Sequence, residues 1–429
     1  MKINLISLGC SKNTVDSEVL AGNLTKEGFE VEYSSPFPNY DIALINTCGF
    51  INDAKEESIN TILLQCSLKE LGKIQQVIVF GCLAQRFMQE LKEELTLVDA
   101  FFGVADQDKI IKYLKANSEP YTLKTRLVST PTHYAYLKIS EGCDRRCSYC
   151  AIPLIRGNQI SIPIEDLIAE AKTLVDGGKR ELILIAQDTT AYGTDIYHKK
   201  ALADLLRKLI EINDLHWIRI QYAYPQDFPM EVINLMTQSP KICSYIDIPL
   251  QHISNKLLSS MKRNITAEQT KELVNQIRNK VPDVAFRTTF IVGYPGETIE
   301  DFAELKDFVS QMRFERMGCF TYSAEEGTAA YELEDNVPQE EKERRQDELM
   351  SLQEKISLEL NEKKIGQTFE VVIDRRESDF YIARTQYDSP EVDNEVLIPD
   401  KEKVEIGKFY QIEIVDAVEF DLIGKVVKQ

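Results

Sequence analysis

Three cysteines lie within eight residues, at Cys143, Cys147 and Cys150 in the stretch EGCDRRCSYC; we call them the clustered trio. A disulfide would use only two of them. Structural zinc usually needs four ligands, and the chain has neither a second CxxC pair nor a suitably spaced histidine pair. Iron–sulfur clusters are held by cysteines at such short spacing. Because a four-iron cubane has four ligand positions, three cysteines would leave one iron open to a small molecule. Zinc binding and an accidental grouping are the alternatives.

A second set of three cysteines, the dispersed trio, is spread over the first hundred residues. Cys10, Cys48 and Cys82 each follow a predicted strand, in KINLISLGC, DIALINTC and QQVIVFGC, and each has an adjacent glycine. The carboxyl ends of parallel strands meet at one edge of a sheet, where ligand sites form, so the three thiols are predicted to converge there. The alternative is that they are small buried residues that fill strand ends.

The elements that position these cysteines follow from the alternation of strand and helix patterns. Residues 1–115 alternate short buried strands with helices, which predicts an α/β domain with a doubly wound parallel sheet. Residues 116–132 are rich in Pro, Ser and Thr and are predicted to be a linker. Residues 133–364 contain six further strand–helix units, which suggests a partial TIM-like barrel, and end in a highly charged helix. Over residues 365–429 a period of two predicts a small β-barrel.

The C-terminal strand ends of the predicted TIM-like barrel, here called the rim, carry polar residues. The clustered trio follows the first strand of this series. The later strands are followed by Gln187, Asp188, Tyr222, Tyr224, Gln251 and His252. Since active sites of such barrels lie at the C-terminal strand ends, the sequence predicts a site at the rim. Cys66, Cys243 and Cys319 lie in helical or apolar stretches and are predicted to be packing residues.

Length and charge limit the functions that are open to the chain. Its 429 residues suffice for two or three domains, and 50 Lys and Arg against 69 Asp and Glu give a net charge of −19. Such a polyanion repels nucleic acid and attracts a basic partner, although simple solubility would also explain it. The sequence shows neither a secretion signal nor an apolar run long enough to span a membrane. With nine cysteines, this favours the reducing cytoplasm.

The whole chain resembles the radical S-adenosylmethionine (SAM) methylthiotransferases. The resemblance rests on SLGCSKNTVDSE around Cys10, NTCGFI around Cys48, FGCLAQR around Cys82, GCDRRCSYCAIPLIRG around the clustered trio, and FIVGYPGET. It implies an N-terminal cluster-binding domain, a radical SAM barrel and a C-terminal TRAM barrel. The family commonly has an Arg–Pro pair where this chain has Ile162 and Pro163, so no arginine is available there to contact an anion.

The resemblance also implies the cofactors and the reaction. The clustered trio is expected to hold a 4Fe–4S cluster whose open iron binds SAM, and the dispersed trio a second 4Fe–4S cluster on which sulfur docks. One SAM methylates the sulfur. Another yields the 5′-deoxyadenosyl radical, which removes a hydrogen atom from an unactivated carbon that then accepts the methylthio group. Gln187, Gln251 and Arg287, on strands or strand ends, are predicted to contact SAM, with Arg287 pairing with its carboxylate. A sulfur source and an electron donor are also required.

Two branches of this family differ in substrate. One modifies a tRNA adenosine, and the other the β-carbon of an aspartate in protein twelve of the small ribosomal subunit. Residues 365–429 carry 15 Asp and Glu against 8 Lys and Arg, a net charge of −7, which disfavours direct nucleic-acid binding and suits a basic ribosomal protein. The stretches SLGCSKNTVDSE and YDSPEVDNEV also resemble the ribosomal-protein branch. The alternatives are the tRNA reaction and a non-catalytic iron–sulfur carrier.

Overall fold

A computed structural model describes residues 1–122 and 125–427, and its N-terminal part is an α/β domain. The strands are β1 (Lys2–Ser7), β2 (Glu30–Tyr33), β3 (Ile42–Thr47), β4 (Gln76–Gly81) and β5 (Ala100–Phe101). The helices are α1 (Ser11–Lys26), α2 (Asn52–Glu70), α3 (Cys82–Arg86), α4 (Met88–Glu94) and α5 (Gln107–Leu114). The five strands are parallel in the order β2-β1-β3-β4-β5.

Two apolar cores cover the two faces of this sheet, because its central strands are hydrophobic on both sides. On one face, Ile3 and Leu44 pack with Leu20 of α1 and Ile110 of α5. On the other face, residues of β3 and β4 pack with α2, α3 and α4. Helices on both faces of a parallel sheet confirm the predicted doubly wound arrangement.

The predicted linker, residues 116–132, lies along α1 and is tied to it by polar contacts. Residues 123 and 124 of this segment lie outside the described residues. Arg126 donates from Nε to Glu18 at 2.8 Å and from Nη1 to Glu170 at 2.6 Å. The backbone N–H of Ser129 donates to Glu18 at 2.6 Å. Glu18 belongs to α1 of the N-terminal domain, and Glu170 belongs to the barrel domain. The linker therefore contacts both domains directly.

The central domain is an open barrel of six parallel strands. Its strands are β6 (Tyr134–Lys138), β9 (Glu181–Ile185), β10 (Trp217–Ile220), β11 (Tyr245–Asp247), β12 (Ala285–Val292) and β13 (Arg316–Thr321), with a small antiparallel pair, β7 (Ser140–Glu141) and β8 (Ile160–Ser161), after β6. Its helices are α6 (Ile152–Arg156), α7 (Ile164–Asp176), α8 (Leu202–Leu209), α9 (Met230–Gln238), α10 (Asn255–Ser260), α11 (Ala267–Lys280), α12 (Ile299–Met312) and α13 (Gln339–Glu362).

The six strands run β6-β9-β10 and β11-β12-β13, and the two halves meet where Ile218 of β10 bridges Ile242. Successive side chains alternate between two surroundings, as the period of a strand requires. Ala135 and Leu137 pack outward against the helices, whereas Tyr134 and Tyr136 pack inward against Val15 and Val19 of α1. The predicted partial TIM-like barrel is confirmed, and α1 of the N-terminal domain packs against inward-facing residues of β6 and β9.

The longest helix, α13, leads from the barrel to the C-terminal module. It has 24 residues and many charges, and it buries Leu349 and Ile356 against the barrel core. Among the helices of the described residues, none combines the length and hydrophobicity needed to cross a membrane. The helix therefore connects two folded parts of the chain along the outside of the barrel.

The C-terminal module is a closed five-stranded β-barrel, as predicted; residues 428 and 429 lie outside the described residues. Its strands are β14 (Thr368–Glu377), β15 (Phe380–Thr385), β16 (Val396–Pro399), β17 (Phe409–Ala417) and β18 (Leu422–Val426), in the order β14-β15-β16-β18-β17. Alternate residues such as Val371, Ile373 and Ile412 fill its core. The period of two in the sequence thus corresponds to inward and outward positions.

The loop between β15 and β16 docks this module onto the start of the barrel strands. Asp388 accepts from Nε of Arg316 at 2.8 Å, and Asp393 accepts from Tyr245 Oη at 2.7 Å. Arg384, near the end of β15, forms an ion pair with Glu181 of β9 at 2.6 Å. The stretch YDSPEVDNEV, from residue 387 to residue 396, is therefore largely occupied in holding the module to the barrel. Its acidic residues are only partly available to a basic partner.

Candidate active site between the N-terminal domain and the barrel

The dispersed trio lies at the carboxyl edge of the N-terminal sheet. Cys10 directly precedes α1, Cys48 follows β3, and Cys82 is the first residue of α3 after β4. Asn13, three residues after Cys10, accepts from Cys82 Sγ at 3.6 Å and donates to the carbonyl of Thr47, next to Cys48, at 3.2 Å, so the three cysteines lie close together. The chain passes tightly here, because a Cβ atom on Gly9 would lie 2.8 Å from Cys48 Sγ. Topology thus brings together thiols that are more than thirty residues apart in sequence.

The clustered trio occupies the loop between β7 and α6 at the rim. Its backbone is held by short-range bonds, with the Cys143 N–H donating to Gly157 at 3.1 Å and the Cys150 N–H to Cys147 at 3.1 Å. The three cysteines lie within eight residues of this one loop, so they are also close together. Over the described residues, neither trio nor any other group of three His, Cys, Asp or Glu side chains converges as the ligands of one metal ion.

Burial keeps most of these thiols protonated when nothing is bound to them. It raises the pKa of Cys143 and of Cys82 to about 11 and that of Cys150 to about 12. Burial also pushes the pKa of Cys10 upward, but the charge of Lys12 and backbone N–H groups outweigh it, so this pKa falls below its ordinary value. Because thiolates are the ligands of iron, a bound cationic cluster would provide the compensation that the buried thiols lack. The donor set therefore fits iron–sulfur chemistry.

An arginine connects the two trios. Arg156 ends α6, directly after the clustered trio, and is 8 % exposed. Its Nη2 donates to Cys82 Sγ at 3.4 Å, and its Nη1 donates to Asp16 at 2.7 Å and to Glu141 at 2.9 Å. The guanidinium thus spans the boundary between the barrel and the N-terminal domain, and it brings a positive charge to a thiol of the dispersed trio.

Two of the predicted SAM contacts lie at the rim with unpaired oxygen atoms. Gln187 follows β9 and donates to Glu141 at 2.6 Å, while its Oε1 is buried without a partner among the described residues. Gln251 follows β11, and its Oε1 is likewise buried and unpaired in that part of the chain. Its φ of +73° is strained for a residue with a side chain. Unpaired buried acceptors at a strand end indicate room for a donor that the protein itself does not supply.

Arg287 lies elsewhere than the sequence suggested. It is the third residue of β12, near the start of the strand and away from the rim. Its guanidinium donates to Asp247 at 3.1 Å and to Asp393 of the C-terminal module at 3.2 Å. A guanidinium that already pairs with two carboxylates has little capacity for a third. The geometry gives no support to Arg287 as a SAM ligand and assigns it to the docking of the C-terminal module.

No sequence motif points to a second arginine beside the clustered trio. Arg263 is 4 % exposed and donates from Nη1 to Cys147 Sγ at 3.6 Å and to Tyr149 Oη at 3.3 Å. The ring of Tyr224 is sandwiched between Arg263 and Arg145, whose guanidinium carbons lie 4.2 and 4.1 Å from its centroid. Arg263 follows α10, in a stretch with no motif, so only the tertiary fold reveals its position.

A cavity of about 230 Å³ opens between the two domains. Its wall includes Phe50 and Ile51, which closely follow Cys48, and Tyr149, which precedes Cys150. Gln251 and Phe320 line the barrel side. The cavity is mainly apolar and is lined by sequence neighbours of one cysteine in each set, so it can admit a small part of a substrate and exclude water.

Comparison with known proteins decides the family. The radical SAM superfamily matches residues 137–309, the uncharacterized protein family UPF0004 matches residues 2–103, and the TRAM domain matches residues 365–427. The ribosomal protein uS12 methylthiotransferase RimO of Cytophaga hutchinsonii is 52% identical over 428 residues, which cover 100% of this chain and 98% of that protein. The RimO protein of Flavobacterium psychrophilum is 53% identical over 425 residues, covering 99% and 98%. The chain belongs to the RimO family of methylthiotransferases.

Membership of this family makes the protein a radical SAM transferase, and the superfamily implies a 4Fe–4S cluster and SAM as cofactors. Among solved structures, the radical SAM methyltransferase TsrM of Kitasatospora setae, with tryptophan and a SAM analogue bound, superposes with a TM-score of 0.56 at 17% identity. The match covers 74% of this chain and 72% of TsrM. At that identity the likeness supports the fold alone.

Proposed function

We propose that the protein attaches a methylthio group to the β-carbon of an aspartate in ribosomal protein uS12, using two 4Fe–4S clusters and two molecules of SAM. The observation that carries this proposal is a single cavity between the domains, whose wall includes Phe50, two residues after Cys48 of one cysteine set, and Tyr149, next to Cys150 of the other. The RimO relatives are named as uS12 methylthiotransferases. A cytoplasmic location follows from a substrate that belongs to the ribosome.

The two trios have different roles in this proposal. Cys143, Cys147 and Cys150 would hold the cluster that binds SAM, and the dispersed trio would hold the cluster that carries the sulfur. When bound, these groups would supply the electron that cleaves SAM and the methylthio group that is transferred. Each set has three thiols, so each would leave one iron free for a ligand that is not part of the protein.

The chain's own residues would bind, orient and shield the reactants. The unpaired Oε1 atoms of Gln187 and Gln251 can accept from the donor groups of SAM. Arg263 donates to Cys147 and fixes Tyr224 and Tyr149 beside the clustered trio. The apolar cavity wall, with Phe50 and Phe320, would exclude water from the reacting carbon. Holding the target carbon between the two sets provides the orientation that an unactivated C–H bond needs.

Charge favours a protein substrate over RNA. The chain has a net charge of −19, and residues 365–429 alone have −7. Exposed acidic residues of the C-terminal module, such as Glu377, Asp379 and Glu405, would repel a phosphate backbone. A basic ribosomal protein is attracted by the same field. A sulfur source and an electron donor complete the partners of the reaction.

Anaerobic reconstitution followed by mass spectrometry tests the proposal. The reduced protein is incubated with SAM and sulfide and with either uS12 or tRNA, and the products are searched for a methylthio group. We expect modified uS12, with the group on an aspartate, and unmodified tRNA. Modified tRNA with untouched uS12 would show that the substrate assignment is wrong. Failure to cleave SAM to 5′-deoxyadenosine would instead favour an iron–sulfur carrier.

Two cysteine variants separate the roles of the trios in the same experiment. Cys143→Ala is expected to abolish SAM cleavage, whereas Cys48→Ala is expected to keep SAM cleavage and lose methylthio transfer. Iron analysis supplies an independent readout, because two cubanes contain about eight irons per chain and each variant should retain about four. Normal transfer by the Cys48 variant would contradict the role given to the dispersed trio.

A further inference from the structure

Lys12 is a buried lysine without a carboxylate partner. It is 7 % exposed, and no hydrogen bond or ion pair is found for its ammonium group among the described residues. Its Nζ lies 3.1 Å from the centroid of the Tyr222 ring. Buried charges are normally paired, because removing an ammonium group from water is costly. An aromatic face offsets only part of this cost and leaves N–H groups free to donate.

The position of Lys12 in its helix makes the lack of a carboxylate partner more costly. It is the second residue of α1, whose first turn has no acidic residue, so its charge adds to the positive end of the helix dipole. Asp16, one turn further along, is already engaged by Arg156 at 2.7 Å and by Lys138. Glu141 is likewise engaged by Lys138 at 2.8 Å. Asp16 and Glu141 are therefore shared by Arg156 and Lys138, and neither carboxylate pairs with Lys12.

Lys12 also bridges the two halves of the candidate active site. It is the second residue of α1, and Cys10 directly precedes that helix, so Lys12 lies close to the dispersed trio. Tyr222, on which its Nζ rests, follows β10 at the rim of the barrel. Tyr222 has a φ of +59°, a conformation that is strained for a tyrosine and that is common at functional sites. An anion bound here would lie between the sulfur-carrying set and the rim.

We propose that the ammonium group of Lys12 binds the side-chain carboxylate of the substrate aspartate. This inference rests on the proposed function and extends it to the recognition of the substrate. An ionised carboxylate enters a buried site only if a cation or several donors compensate it there. In Lys12 the site offers such a cation, and binding the carboxylate places the adjacent β-carbon next to the dispersed trio. An adenosine base has no negative charge to place at this position.

Binding of two peptides to the reconstituted holoenzyme, with SAM but without reductant, tests the inference. One is the uS12 peptide that contains the target aspartate, and the other has asparagine at that position. We expect wild-type protein to bind the Asp peptide about 10- to 100-fold more tightly, because the Asn peptide offers the ammonium group a neutral acceptor in place of a carboxylate. Lys12→Met, which keeps the length of the side chain, should bring the ratio close to one. Lys12→Arg, which keeps the charge, should retain a preference for Asp.

The control is Lys26→Met, because Lys26 lies in the last turn of the same helix and is exposed. It should discriminate between the peptides like the wild type. If Lys12→Met still prefers the Asp peptide as strongly as the wild type, the inference is overturned. If only the reduction potential of the cluster changes in that variant, Lys12 is a counter-charge for the cluster. Loss of SAM binding with peptide discrimination intact would assign Lys12 to the SAM carboxylate and would equally overturn it. If wild-type protein binds neither peptide, the proposed function itself fails.

Discussion

Arg156 Nη2 donates to Cys82 Sγ at 3.4 Å, so a residue of the barrel contacts a thiol of the N-terminal domain. The same guanidinium binds Asp16 of the N-terminal domain and Glu141 of the barrel. Hydrogen bonds to cluster sulfurs and nearby charges set the reduction potential of an iron–sulfur site. A single side chain therefore links the relative placement of the two cysteine sets to the electronic properties of one of them.

Replacing Arg156 by Gln is expected to lower the reduction potential of the cluster that we propose for the dispersed trio, because a positive charge and an N–H donor are lost. Methylthio transfer should fall about 10- to 100-fold, which is typical for residues that support metal ligands. Arg156→Lys should recover part of the reduction potential but not the full rate of methylthio transfer. Its ammonium group keeps the charge but lacks the planar set of N–H donors of a guanidinium group. A redox titration followed by electron paramagnetic resonance measures the potential of each cluster.

Arg146→Gln is the matched control for this prediction. Arg146 is exposed in the loop of the clustered trio and bonds with Asn158. Its replacement should leave unchanged the potential of the cluster proposed for the dispersed trio. An unchanged potential in Arg156→Gln would mean that the contact with Cys82 does not influence the cluster.

Gly9→Ala is expected to damage the dispersed trio selectively. Gly9 has a φ of +86°, and a Cβ atom there would lie 2.8 Å from Cys48 Sγ and 2.6 Å from its Cβ. The thiol must then move, so the variant should retain about four of eight irons after reconstitution. It should still cleave SAM, because the clustered trio is untouched. Iron content and 5′-deoxyadenosine formation are the measurements.

Gly28→Ala separates this steric effect from backbone strain. Gly28 has a similar φ of +89°, but no heavy atom lies within 4 Å of the position that a Cβ would take. It should lose about 1–2 kcal/mol of stability, as a left-handed conformation costs an alanine, and keep its full iron content. Equal iron loss in both variants would refute the proposed contact with Cys48.

The sequence predicted the main elements of the fold because their patterns repeat over many residues. Period-two alternation and buried apolar runs located the five-stranded barrel and the six parallel strands. The antiparallel pair β7–β8 has two residues per strand, which is too short for any period to be visible. The docking of the β15–β16 loop also escaped prediction, because ion pairs such as Arg316–Asp388 join residues that are 72 positions apart.

The candidate site was predictable where topology alone fixes position. Parallel strands share a carboxyl edge, so Cys10, Cys48 and Cys82 could be expected to meet. The position of a residue along its strand was harder to predict. Arg287 lies near the start of β12, too far from the strand end to reach the rim. The roles of Arg263 and Lys12 could not be predicted from the sequence, because they depend on which groups contact these side chains in the tertiary structure.

Breaking the buried ion pair between Arg316 and Asp388 is expected to loosen the C-terminal module. The two side chains are 5 % and 2 % exposed, so Arg316→Met would leave a buried carboxylate with too little compensation. Such a loss typically costs about 3–5 kcal/mol. Chemical unfolding and limited proteolysis around residue 365 measure the effect. Arg376→Met is the control, because its pair with Asp400 is 53 % and 43 % exposed and is worth about 1 kcal/mol or less.

The acid stability of the docked module should depend on Asp388. Burial opposes ionisation, but the charges of Arg316 and Lys364 outweigh it and hold the pKa of Asp388 below the ordinary value of 3.8. Its stabilising contribution is therefore fully present above pH 3.8 and is lost as the pH falls through the lower pKa of the folded state. Asp388→Asn should remove this contribution, so its unfolding free energy should fall less steeply below pH 3.8 than that of the wild type.

Asp393, in the same loop, should behave in the opposite sense. Burial raises its pKa above 3.8, and the charges of Arg287 and Arg316 do not fully compensate because Asp388 is nearby. The folded state then binds the proton more tightly than the unfolded state, so this group adds stability as the pH falls through its raised pKa. Asp393→Asn should therefore make the acid loss steeper, whereas Asp388→Asn makes it shallower. Unfolding free energies of the wild type and both variants between pH 7 and pH 3 measure these slopes. A change of slope in the same direction for both variants, relative to the wild type, would contradict the assignment of the two carboxylates.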